Sequence, residues 1–307
     1  MKHISVLLEE AVNALNLDEN SIVVDATLGY AGHSSEILKR IPKGHLYAFD
    51  QDEEAINSAR ERLSQIASNF TIIKSNFVHL KEKLQELGVT KVDGILFDLG
   101  VSSPQLDEEE RGFSFHKDAS LDMRMDQSQS KNAKEVVNTY SYEDLVHIMR
   151  VYGEEKFAPR IAKSIVEKRK EKTIETTLEL VSIIRDSVPE KYRREHHPAR
   201  KVFQAIRIEV NDELNVFEKA LASAFEILNV EGRICVITFH SLEDSICKKM
   251  MKEVSSLPSE LKNLPVVPKE LEPNFHMIKT LSPSREELKV NRRARSSKLR
   301  VIEKVKE

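Results

Sequence analysis

The stretch SIVVDATLGYAGHSSEIL, residues 21–38, reads as a β-branched strand, a glycine-bearing turn and the start of a helix. A short apolar run ending in small residues, followed by apolar positions three and four apart, is the hand-over from strand to helix in an α/β unit. The turn itself, DATLGYAGHS (25–34), lacks the G-x-G-x-x-G spacing of a dinucleotide loop, and Ala31 stands where a glycine is expected. Which nucleotide such a turn holds depends on what else reaches the same end of the sheet.

The pattern repeats through the first hundred residues. HLYAFDQD, FTIIKSNF and VDGILFDLG are further strands, with helical stretches such as EEAINSARERLSQIA between them. Alternation of this kind predicts a parallel sheet with helices on both faces. From 106 to 205 no strand pattern occurs. SYEDLVHIMRVYG, KFAPRIAKSIVEKRKEK and TTLELVSIIRDSV are helical and are punctuated by Pro159, Pro189 and Pro198. KVFQAIRIEVNDELNVFEKALASAFEIL then reads as one long helical approach to a fifth strand in GRICVITFHS, and FHMIKTLS and SSKLRVIEKV pair as closing strands. The expected architecture is α/β, with one sheet domain split into 1–105 and 206–307 around an all-helical insertion, 106–205.

The chain of 307 residues is 40% hydrophobic and 32% charged, enough for a sizeable core. It has no apolar run of about 18 residues, so no membrane span is expected. MKHISVLLEE has no secretory leader pattern, and a cytoplasmic protein is expected. The net charge of −3 is unevenly spread: residues 1–100 carry 10 basic against 15 acidic groups, 156–201 carry 13 against 7, and 289–306 carry 8 against 1. An acidic body with basic surfaces elsewhere points to a polyanionic partner.

Ligands of open α/β sheets bind beyond the carboxyl ends of the strands. Asp25, Asp50 and Asp98 close three of the strands, and Asp50 follows Gly29 by 21 residues, where a carboxylate accepts both ribose hydroxyls. Gly29 and Gly32 allow a tight turn and a close backbone approach. Extra carboxylates repel a pyrophosphate, whereas a sulfonium is cationic and carries no phosphate. The three acids therefore favour S-adenosylmethionine over NAD.

DLGVSSPQLDEEERGFSF (98–115), ARKVFQAIRIEVNDEL (199–214), FHSLEDS (239–245) and RRARSSKLR (292–300) are more specific than the turn. Through them the chain closely resembles, end to end, the bacterial 16S rRNA (cytosine-N4)-methyltransferases of the MraW/RsmH family. The resemblance implies a class I (Rossmann-like) S-adenosylmethionine-dependent methyltransferase with an inserted helical domain. It also implies 16S rRNA, within the small ribosomal subunit, as the partner, and no DNA. By similarity Ala31, Gly32 and His33 form the cofactor loop, completed by Asp50, Phe77, Asp98 and Gln105. Ala31 departs from the family's G-x-G-G-H, and binding is expected to survive because no functional group is lost. Phe77 is expected to pack on adenine.

The exocyclic amine of cytosine is a poor nucleophile, so the enzyme must pin the base and aim its nitrogen at the methyl group. Asp98, the carbonyls of Leu99 and Gly100, Ser102 and Ser103 stand where amine acceptors are needed. The segment SSPQ lacks the second proline and the aromatic of the DNA amino-methyltransferases. Carbon-5 methylation would need a nucleophilic cysteine, and Cys235 and Cys247 read as packing residues. Arg200, Lys201, Arg292, Arg293, Arg295, Lys298 and Arg300 are the expected RNA contacts. No metal site is expected: His196 and His197 lack ligand spacing, and His240, Ser241 and Asp244 are not a triad. A non-catalytic RNA-binding assembly factor with this fold and an NAD-dependent oxidoreductase are the competing readings; the acid-lined crevice opposes the second.

Overall fold

The computed structural model describes residues 5–101, 109–195, 197–257 and 268–307. Packing divides the chain into two units, Met1–Gly100 with Leu214–Glu307, and Val101–Glu213. The helical unit thus extends beyond the 106–205 read from the sequence, because Ile206 and Val210 of the helix Ala199–Asn211 also belong to its core.

The first unit begins with α1 (Leu8–Ala14), β1 (Ile22–Asp25), α2 (Gly32–Arg40) and β2 (His45–Asp50). There follow α3 (Glu53–Ser64), β3 (Phe70–Lys74), α4 (Leu80–Glu86) and β4 (Val92–Asp98). Its seven strands lie in the order β3-β2-β1-β4-β5-β7-β6, where β5 is Leu228–Thr238, β6 Phe275–Leu281 and β7 Lys298–Lys304. β1 to β5 pair in parallel, and β7 runs antiparallel to both β5 and β6. The two closing strands pair as their alternation predicts. A parallel sheet with one reversed strand inserted at this edge is the class I methyltransferase sheet.

Alternate residues of each strand face opposite sides. Val23, Leu96, Cys235, Ile237 and Val301 pack with α1, α2 and α3 through Ala11, Ile37, Leu38 and Leu63. Val24, Ile95, Phe97, Val236 and Ile302 face the other layer, with Leu80, Phe217, Leu221 and Met251. Both faces are therefore dry, and the strands must be almost wholly apolar until their last residue. That last residue is Asp25 in β1, Asp50 in β2 and Asp98 in β4.

The second unit is helical: α5 (Ala133–Thr139), α6 (Tyr142–Val151), α7 (Ala158–Glu171), α8 (Thr177–Ser187), α9 (Glu190–Glu195) and α10 (Ala199–Asn211). Its only β-type pairing among described residues is the single bridge Ser120–Thr176. Asn132, Ser141 and Thr176 cap α5, α6 and α8, and Thr176 shares a reciprocal capping box with Glu179. The long helical approach read through 201–228 is two helices, not one. Asp212 takes φ +50° and ends α10, and α11 (Glu213–Ile227) starts afresh. Aspartate is one of the few residues that tolerates this left-handed cap. Among the described residues no helix is long and apolar enough to cross a membrane.

Candidate active site

The carboxyl ends of β1, β2, β4 and β5 converge, and the turn after β1 lies across them. Asp25 does not face outward. It is 1% exposed; Ser34 Oγ donates to its Oδ2 at 2.6 Å and the Thr27 N–H to its Oδ1 at 3.1 Å. Burial raises its pKa despite these bonds. Asp25 thus pins the turn to the first turn of α2. Thr27 Oγ1 in turn accepts the Asp98 N–H at 2.7 Å, tying β1 to β4.

Asp50 is the outward acid. Its Oδ2 accepts the Gly29 N–H at 2.8 Å and its Oδ1 the Asp52 N–H at 2.9 Å. Each oxygen keeps a lone pair for a further donor. Burial, with help from the Asp52 charge, pushes its pKa up to about 6 against backbone bonds from Asp52, Gly29 and Gln51. Ala31 takes φ +59° at the N-cap of α2, the left-handed conformation that suits glycine. Gly32 meets a different demand: a Cβ there would lie 1.8 Å from Ser5 Oγ, so only glycine lets residue 5 close on the turn.

Asp98 is the most crowded acid. Its Oδ2 lies 3.5 Å from His33 Nδ1. His33 is 5% exposed, and its Nε2 donates to the Val6 carbonyl at 3.1 Å, which directs Nδ1 at Asp98. Asp98 Oδ1 is buried and has no hydrogen-bond partner. Desolvation, then the charges of Asp25 and Glu243, raise the Asp98 pKa well above the usual carboxylate range. Glu243 lies in the first turn of α12 (Ser241–Ser255); its Oε2 accepts the Phe239 N–H at 2.7 Å and the His240 N–H at 3.3 Å. Three carboxylates thus share a dry strand end, and a cationic ligand is what this field favours.

The description of the family model that matches residues 1–305 is MraW methylase family. The chain belongs to this family. A ribosomal RNA small subunit methyltransferase H of Exiguobacterium sibiricum is 57% identical over 309 residues, covering 100% of this chain and 99% of that protein. An rRNA methylase structure from Streptococcus thermophilus superposes with TM-score 0.46 at 14% identity, over 99% of each chain. A Streptococcus mutans protein solved in complex with SAH gives TM-score 0.45 at 15% identity, over 98% of this chain and 99% of that one.

As a member of the MraW methylase family the chain is a methyltransferase, and its methyl donor is S-adenosylmethionine. The residues present fit that donor. A sulfonium supplies the positive charge that Asp98, with its unpartnered Oδ1, lacks, and Asp50 keeps acceptors for ribose hydroxyls. Phe77 follows β3 in a short 3-10 turn capped by Asn76, half-buried and edge-on to Phe97, with ring centroids 5.8 Å apart. Ser102, Ser103 and Gln105 lie outside the described residues.

The methylase has no reactive thiol. Cys235 and Cys247 are fully buried, and burial pushes both pKa values up to about 12. Nucleophilic cysteines need the opposite shift.

The basic residues divide. Arg292, Arg293 and Arg295 are exposed on a 3-10 turn, Arg292–Ser296, just before β7, which starts at Lys298. Arg300 Nε and Lys298 Nζ pair with Asp244 at 2.7 and 2.9 Å, and Arg300 is 11% exposed, so these two lock β7 to α12. Arg200 and Lys201 are exposed at the start of α10, where Lys201 Nζ donates to the Glu154 carbonyl at 2.8 Å. Sequence reasoning missed Thr27 and Ser34, which hold Asp25, and Glu243 beside Asp98. The D-x-T spacing of 25–27 was a readable turn signal; the pairing of Ser34 with Asp25 had none.

Proposed function

We propose that this methylase transfers a methyl group from S-adenosylmethionine to the exocyclic N4 amine of a cytidine in the decoding region of 16S rRNA, within the small ribosomal subunit. The observation that carries the reading is the Asp98 carboxylate: its pKa is raised by desolvation, then by the charges of Asp25 and Glu243, and its buried Oδ1 is unpartnered. A cation bound beside such a group favours its ionised form, which then accepts a hydrogen bond from an amine. The name of the Exiguobacterium relative supports rRNA of the small subunit as the substrate class.

Asp50 accepts the ribose hydroxyls, Ala31, Gly32 and His33 form the turn beneath the donor, and Phe77 covers adenine. Gln105 completes the donor site, and Ser102 and Ser103 join Asp98 in accepting the amine hydrogens. The target base leaves its stack to reach a pocket of this kind. Arg200, Lys201, Arg292, Arg293 and Arg295 hold phosphates. The inert cysteines oppose carbon-5 chemistry.

Mass spectrometry of 16S rRNA nucleosides from cells with and without the gene tests the reading. N4-methylated cytidine disappears from the gene-less cells; its persistence refutes the assignment. Asp98→Asn keeps the shape and loses the charge, so turnover falls by about 10²–10³-fold, the range for removing one group aimed at transition-state charge.

A further inference from the structure

The segment FHSLED, at the carboxyl end of β5, contains a histidine that the donor site does not use. His240 is 11% exposed on its side chain, and its Nδ1 is buried without a hydrogen bond of good geometry. A buried ring nitrogen left open is costly to the fold, and such groups concentrate at functional sites. Glu243 stands beside it, 3% exposed, with Oε1 3.1 Å from His240 Nε2. The other oxygen of Glu243 is fixed by the backbone N–H groups of Phe239 and His240. The carboxylate therefore cannot turn away from the ring.

Asp98 lies on the neighbouring strand. Its Cα partner on β5 is Ile237, and the Leu99 N–H donates to the Ile237 carbonyl at 3.0 Å. A Cβ on Gly100 would lie 3.6 Å from the Phe239 ring, so the two strand ends stay together past the sheet. The charge of Glu243 also reaches Asp98. Two neighbouring strand ends thus carry buried atoms of complementary use, Asp98 Oδ1 and His240 Nδ1, neither in a hydrogen bond of good geometry.

We infer that His240, backed by Glu243, is the proton acceptor for the amine that is methylated, with Nδ1 facing the substrate. This rests on the amine-methylation reading above. S-adenosylmethionine supplies a methyl group whose bonding pair remains on sulfur. The amine nitrogen gives its lone pair to that carbon and becomes cationic. One N–H proton then passes to His240 Nδ1, the N–H pair returns to nitrogen, and the imidazolium is stabilised by Glu243 through Nε2. The proton leaves later to solvent. A carboxylate behind an imidazole orients the ring and stabilises its charged form, the logic of an acid-base pair in acyl transfer.

The test uses the full-length protein with small ribosomal subunits from a strain lacking the gene. His240→Asn and His240→Gln keep a polar side chain of similar reach that cannot take the proton. Whichever variant keeps the wild-type melting temperature should lose about 10²-fold or more in single-turnover methylation, as for loss of a general base. Its affinities for S-adenosylmethionine and for the subunit should stay within about threefold of wild type. With 15N-histidine protein and S-adenosylhomocysteine bound, the His240 Nδ1 resonance should move on adding a cytidine-bearing target RNA and not the uridine-substituted one. A folded variant that loses less than about tenfold in rate, or a resonance that ignores the cytidine, overturns the inference. Failure of wild type itself to yield N4-methylcytidine would instead sink the amine reading.

Discussion

At the scale of single residues, Asp50 and Asp25 differ in what they predict. The Asp50 pKa is raised to about 6 because burial outweighs its backbone bonds. A proton therefore occupies it below that pH and removes the acceptor that a ribose hydroxyl needs. S-adenosylmethionine affinity should fall by roughly tenfold per pH unit as the pH drops below about 6. Calorimetry at about pH 7.5 and about pH 5 measures this, and Asp50→Asn should remove the dependence in that window. At neutral pH, Asp50→Ala should weaken binding by about 1.5–3 kcal/mol, the range for hydrogen bonds to a charged group; unchanged affinity in a folded variant would exclude Asp50 from the site. Asp25 makes no such prediction, since both its oxygens are spent on Thr27 and Ser34. Cys235→Ala and Cys247→Ala should both retain methylation, because thiols with pKa values near 12 are protonated at neutral pH. Loss of turnover in either, with melting temperature preserved, would revive a covalent route.

At the scale of elements, the turn between β1 and α2 couples fold to function through Gly32. Its absent Cβ leaves room for Ser5, and Ser5 belongs to the segment whose Val6 carbonyl holds His33. Gly32→Ala should therefore displace that segment and release His33 from Asp98. We expect S-adenosylmethionine affinity to drop at least tenfold while the far-ultraviolet circular dichroism spectrum remains. Adding Ser5→Gly removes the atoms that clash and should recover much of the affinity. A double variant as weak as Gly32→Ala would locate the damage in the backbone of the turn itself. The alternation of strands and helices was legible because both faces of the sheet are dry, which forces apolar runs ending in aspartates. Boundaries set by one backbone angle were not, as at Asp212, where periodicity runs on through a left-handed residue. The inward turn of Asp25 was equally hidden, because Ser34 reaches it only after α2 has begun. His240 was visible as a motif but not as a pair with Glu243, whose meaning depends on burial.

At the scale of the whole molecule, charge separates what the fold uses from what remains for RNA. Residues 289–306 carry 8 basic groups against 1 acidic, and from sequence they read as one patch. Folding divides them. Arg300 and Lys298 are held by Asp244, and Lys304 Nζ pairs with Glu307 at 2.8 Å while its own side chain is 6% exposed. The exposed turn Arg292–Ser296 keeps Arg292, Arg293 and Arg295 toward solvent. If these three hold phosphates, replacing them together with glutamine should lower the slope of log K against log salt by roughly 2–3 units, at about 0.7–0.9 per contact. The donor site contains none of them, so S-adenosylmethionine affinity should not change. Arg300→Ala should do the reverse. It breaks a two-bond, mostly buried contact with Asp244 and should cost about 1–3 kcal/mol of stability, between the values for exposed and buried pairs, with the salt slope of RNA binding unaltered. Filter binding across a salt series, together with thermal melts, separates the two classes of arginine. A triple variant with the wild-type slope would make the 3-10 turn a structural cap on β7 and move the phosphate contacts to other basic residues, Arg200 and Lys201 first among them.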